Sequence, residues 1–131
     1  GQANALFLDA RHAEDAVVAP AVEGLGARLG PIVFQFPPQD VAALGGADHF
    51  AEKLHDFLRR LPRGPLYAVE LRNAELLRPA YLQALAGEGA CHCVNAHPSM
   101  PGVEAQARLA LQASPPALVV RWMLHRGFSY E

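Results

Sequence analysis

Apolar positions follow two spacings along this 131-residue chain, and the two alternate. From about Ala13 to Leu29, the residues Val17, Val18, Ala21, Val22, Leu25 and Leu29 recur at helical intervals. Pro20 interrupts this stretch, either starting its regular part or kinking it. Gly30-Pro31 closes it. Ile32-Val33-Phe34-Gln35-Phe36 follows, a short β-branched and aromatic run stopped by Pro37-Pro38. Such a run predicts a buried strand of the parallel-sheet kind. Asp48 then stands as an N-cap ahead of Phe50, Leu54, Phe57, Leu58 and Leu61 on one helical face. Leu66 to Leu71 predicts a second strand, and residues 75–86 a third helix carrying Leu77, Tyr81, Leu82 and Leu85. Gly87 and Gly89 stop that helix. Ala90 to Asn95 predicts a third strand, residues 103–112 an Ala-rich helix, and Leu118 to Trp122 a fourth strand. Residues 1–11 show no period and read as a lead-in.

Strands alternating with helices predict an α/β fold with a parallel sheet of about four strands. Crossovers of about 20–30 residues have the size of βαβ units, which are right-handed. Two architectures fit: an open doubly wound sheet, or an arc of a (β/α) barrel. No G-x-G-x-x-G or G-x-x-x-x-G-K-[ST] motif occurs, which argues against a phosphate-cradling glycine loop. Gly45-Gly46 reads as ordinary loop.

Thirteen acidic residues against eleven basic ones give a formal net charge of −2, so no basic excess is present to hold a nucleic-acid backbone. No apolar run reaches membrane-spanning length. Cys91 and Cys93 stand two residues apart, an awkward spacing for a disulfide, and no signal-peptide pattern opens the chain. A cytoplasmic location is the expectation. Both ends read as cuts through a longer protein, so residues 1–131 are expected to form a single partial domain.

The stretch Leu29-Gly30-Pro31-Ile32-Val33-Phe34-Gln35-Phe36-Pro37-Pro38 resembles the Leu-Gly-x-x-Leu-x-Gln-Phe-Pro-Pro segment of the YecE-like domain-of-unknown-function family. Val69-Glu70-Leu71-Arg72 is similar to that family's Glu-x-Arg-His signature, with Asn73 in place of the His and no Trp shortly after. Val120 to Gly127 resembles its later Arg-x-His-Gly strand end, with extra residues before His125. The resemblance implies a TIM-like barrel of about 250 residues, of which this chain covers the second half. The family's N-terminal Gly-x-Ser-Gly-Trp and Glu-x-x-x-Thr-Phe-Tyr segments are missing here. The family carries no established activity to transfer.

In a barrel, ligands meet the C-terminal ends of the strands. Those ends hold Gln35, Glu70, Arg72, Asn95, His97, Arg121 and His125. Glu70, Arg72, Arg121 and His125 are the catalytic candidates, with Gln35, Asn95 and His97 as ligand contacts. Arginine forks bind carboxylate or phosphate, and a histidine can exchange protons near neutral pH. The set therefore suits an enzyme or binder acting on a small polar or anionic molecule. The structural alternative is an internal ion pair between Glu70 and Arg121 or Arg72 that holds the barrel mouth. A non-catalytic interaction module is the rival function; nucleic-acid processing is a weaker one on charge grounds. No cofactor or metal is expected. Cys91-His92-Cys93 puts its cysteines on one strand face and its histidine on the other, and structural zinc sites use wider spacing. No Gly-x-Ser-x-Gly elbow is present. The expected partners are a small ligand and either a second copy or the other half of the barrel.

Overall fold

The computed structural model describes residues 8–121. Trp122 and His125 lie outside that range. Four strands form one curled half-barrel sheet in the order β1-β2-β3-β4: β1 (Ile32–Gln35), β2 (Tyr67–Glu70), β3 (Cys91–Asn95) and β4 (Val119–Arg121). Every pairing is parallel. Strand order equals chain order, as in a barrel arc, whereas a doubly wound sheet reverses at a switch point.

The first helical segment starts earlier than its apolar spacing predicts. Asp9 caps α1 (Ala10–Ala13), its Oδ1 accepting from His12 N–H at 3.0 Å. A wide π turn, Glu14–Val18, leads into α2 (Ala19–Leu25), and Ala19 N–H donates to Glu14 O. Pro20 accounts for the widening. Its ring lacks an N–H and crowds the carbonyl four residues back, and the extra residue in the turn relieves both problems. Asp48 is not the cap of α3 (Ala47–Arg60). That position belongs to Gly46, whose φ of 98° suits glycine alone. Asp48 lies in the first turn, where a carboxylate favours the positive helix end.

Helices α3, α4 (Pro79–Gly87) and α5 (Val103–Gln112) follow β1, β2 and β3. Alternation along each strand divides the sheet into two faces. Ile32, Phe36, Tyr67, Val69 and Leu71 join Phe50, Leu54, Phe57, Tyr81 and Leu85 in the larger apolar core, under the helices. Phe34 meets Phe57 edge to face at 5.2 Å, and Phe36 meets Phe50 likewise at 5.6 Å. On the opposite face Ala68, Cys91 and Cys93 pack with Leu66, Ala117 and Val119 as a thinner layer. This is the concave face.

Among the described residues β1 and β4 each have one strand neighbour. Val33 on the concave face is 38% exposed. Val120 and Leu118 on the other face are 38% and 48% exposed, and no described helix follows β4. Open parallel edges and uncovered apolar side chains seek a partner. The 131-residue chain in isolation is therefore expected to self-associate in light scattering. A monodisperse monomer that unfolds cooperatively contradicts this expectation.

Candidate functional site

Parallel strands end together, so their last residues form one rim. Gln35 ends β1 beside Glu70 at the end of β2, and Asn95 ends β3 beside Arg121 at the end of β4. All four belong to the concave face, and Arg72 follows two residues after Glu70. Arg121 reaches back across β3. Its Nη1 donates to Glu70 Oε2 at 2.9 Å and to Gln35 Oε1 at 2.9 Å. Arg72 Nη2 donates to the other carboxylate oxygen, Oε1, at 3.3 Å. Both arginines engage the carboxylate, where the sequence left open which one would.

Burial separates their roles. Glu70 has no exposure and Arg72 only 9%, while the Arg121 side chain is 52% exposed. Two guanidinium cations against one carboxylate leave a formal charge of +1 at the rim. Both of these Arg121 bonds leave from Nη1, and the side chain as a whole is half-exposed. A held, half-exposed guanidinium can fork onto a carboxylate or phosphate.

Below this cluster lies Cys93, which the register sets beside Glu70. Burial, and then the Glu70 charge, push its thiol up to about 11, against a smaller lowering by Arg121 and Arg72. Burial also raises Cys91. Protonated thiols are poor nucleophiles and poor metal ligands. Among the described residues no three His, Cys, Asp or Glu side chains gather as metal ligands. His92 points to the helix side instead, against Tyr81 at 5.6 Å between ring centres.

The loops beyond the strands are stitched to one another. Asn73 Nδ2 donates to Gln39 O at 2.9 Å, and Gln39 N–H donates to Asn73 Oδ1 at 2.7 Å, joining the loops after β1 and β2. Asn95 Nδ2 donates to Leu71 O at 2.8 Å and Ser99 Oγ to Arg72 O at 2.7 Å, joining the loops after β2 and β3. Asn95 Oδ1 accepts from His97 N–H at 3.2 Å. Asn95, fully buried, thus spends its amide on backbone, and it sits under the rim rather than on it. His97 lies half-buried just beyond, its Nδ1 2.6 Å from Ser99 Oγ and 3.0 Å from Ser99 N.

The structure brings Gln35, Glu70, Arg72 and Arg121 into one cluster, with Asn95 at the end of β3 beneath it and His97 in the loop that follows. His125 lies outside the described residues. Sequence reasoning passed over Asn73, Ser99, Gln106 and Tyr81. Asn73 was visible only as a departure from the family signature. Gln106 had one signal, a polar residue four before buried Ala110 on the same helix face.

The fold and site define an α/β half-barrel protein with a charged cluster at its strand ends. Residues 5–131 match the family described as protein of unknown function DUF72, and the chain belongs to that family. No curated protein and no solved structure matches it. Among the described residues no helix is long and apolar enough to cross a membrane.

Glu70→Ala removes the carboxylate from the buried Arg72 guanidinium and is expected to cost about 3–5 kcal/mol in urea denaturation. Arg121→Ala, at a half-exposed pair, is expected to cost about 1 kcal/mol or less. Equal costs contradict this division of roles. Cys93 supplies a pH test. Its folded value lies above the ordinary 9.0, so its contribution is complete below pH 9 and is lost as pH rises through about 11. Denaturation midpoints of wild type and Cys93→Ala are expected to converge over that window. A constant gap contradicts the assignment.

Proposed function

We propose that the concave rim binds a small anionic ligand through Arg121, with Gln35 beside it and His97 in the neighbouring loop. The observation that carries this is the buried Glu70 carboxylate shared by two guanidinium groups, which leaves a net positive rim and one half-exposed arginine. Glu70 acts as the anchor that orients Arg121, since its two oxygens already accept from Arg121 and Arg72. Orienting a guanidinium before the ligand arrives lowers the entropy lost on binding. Carboxylates and phosphates, singly or on a polyhydroxylated carrier, have the planar or tetrahedral oxygens that such a fork meets. An overall charge of −2 weighs against nucleic acid as the ligand.

A non-catalytic structural role is the second reading, favoured by how many rim side chains join one loop to the next. Calorimetric titration with inorganic phosphate and with a small dicarboxylate separates the two. Saturable binding that Arg121→Ala weakens about tenfold or more, with the fold retained, supports the ligand reading. Absence of binding to either probe, together with a stability loss of several kcal/mol on Arg121→Ala, supports the structural one.

A further inference from the structure

The two ends of the sheet lack opposite things. At the β1 end the chain enters through the α1–α2 segment. The outer layer follows the order of the sheet, with α1 against α3 and α3 against α4. The segment therefore ends that layer on the β1 side, held to the core by Ala10, Ala13 and Val18. Its apolar stripe runs further than its cover. Val22 and Leu25 continue the helical face of Val18, yet they are 42% and 54% exposed. None of the residues of α2 is buried. A helix of seven residues draws its stability from packing rather than propensity, so this face needs a surface to pack on.

At the β4 end the strand is present and its cover is not. Leu118 and Val120 lie exposed on the helix side, and no described helix follows β4. In a (β/α) barrel the helix that leads into a strand also covers the strand before it, because right-handed crossovers set each helix over the pair it joins. α2 leads into β1, and among the described residues β1 has β2 as its one neighbour. The position before β1 thus holds a helix without its strand, and β4 is a strand without its following helix. What each edge lacks, the other edge of the same chain supplies. A second copy's β4 beside β1 also keeps the parallel sense of every pairing in this sheet.

We propose that a second copy of this chain is the partner, seated edge to edge so that α2 of each copy covers Leu118 and Val120 of the other. The contact is heterologous, β4 against β1, and such contacts run on into fibres unless the rotation closes. Here it closes at two copies, because the sheet curls as half of a barrel and its four strands are half of the eight that complete one. Both open edges vanish in the same step. The two sets of Gln35, Glu70, Arg72 and Arg121 then surround one mouth. The pairing follows from the edges and does not depend on the anion reading of the rim.

Sedimentation equilibrium and a mixing experiment on the 131-residue chain test this. The wild type is expected to sediment at twice the chain mass. Val22→Lys with Leu25→Lys charges the α2 stripe, and Leu118→Glu with Val120→Glu charges the β4 edge. All four positions are exposed, so each double variant is expected to keep its helix content. Alone, each is expected to associate about a hundredfold more weakly, since both of its seams are broken. Mixed in equal amounts, the two are expected to dimerise again: one seam of the mixed pair is wild type, and the other sets lysines against glutamates. Should a variant fail to fold, isotope-filtered NMR on mixed labelled and unlabelled wild type reads the same contact, as cross-peaks from Leu118 or Val120 methyls of one copy to Val22 or Leu25 methyls of the other. A monomeric wild type, an open-ended series of larger species, a mixture that stays monomeric or the absence of those cross-peaks overturns the proposal.

Discussion

A carboxylate with no access to water keeps its charge only if the protein supplies what water would have supplied. Glu70 is such a group, and the rim is arranged around it. Arg72 approaches from its own strand end and Arg121 from two strands away, one on each oxygen. The cost of removing Glu70 and Arg72 from bulk water is offset by their attraction, by half-exposed Arg121 and by a hydrogen bond to each carboxylate oxygen. The same arrangement fixes the electrostatics of the neighbourhood. Cys93, between Glu70 and Arg121, stays a protonated thiol.

The sheet makes this arrangement possible because parallel pairing in chain order brings every strand end to one side. Gln35, Glu70 and Arg121 lie far apart in sequence, 86 residues separating the outer two, yet they share a hydrogen-bonded cluster. Helices α3, α4 and α5 press on the opposite face through the aromatic and aliphatic core. A rigid scaffold with polar loops above it is the usual setting for ligand sites. Here those loops are tied by Asn73, Asn95 and Ser99 to each other's backbones.

Much of this was legible in the sequence. The change of apolar spacing marked the strands and helices, and period-two alternation put Glu70 and Arg72 on one face. Strand ends then named the rim residues. The buried hydrogen bonds that join Tyr81, His92 and Gln106 were not legible, because nothing local distinguishes them. His92 stood between two cysteines as the middle of an apparent cluster, and Gln106 stood in an Ala-rich helix. Only the packing of α5 against β3 makes that glutamine a partner for strand backbone. The start of α1 was missed for a similar reason: Asp9 caps it by a side-chain bond that periodicity does not register. The glycine cap of α3 depended on a positive φ, which the sequence carried only as a Gly45-Gly46 pair.

The account stands or falls on whether Arg121 is an anion-binding arm held by Glu70 rather than one half of a closed ion pair. Side-chain NMR of the Arg121 guanidinium during a phosphate titration asks this directly. The account predicts a saturable shift of the Arg121 side-chain resonances in the wild type, and a much weaker one in Glu70→Gln, where the anchor is neutral. Arg121 resonances that stay unmoved by phosphate in the wild type would contradict it.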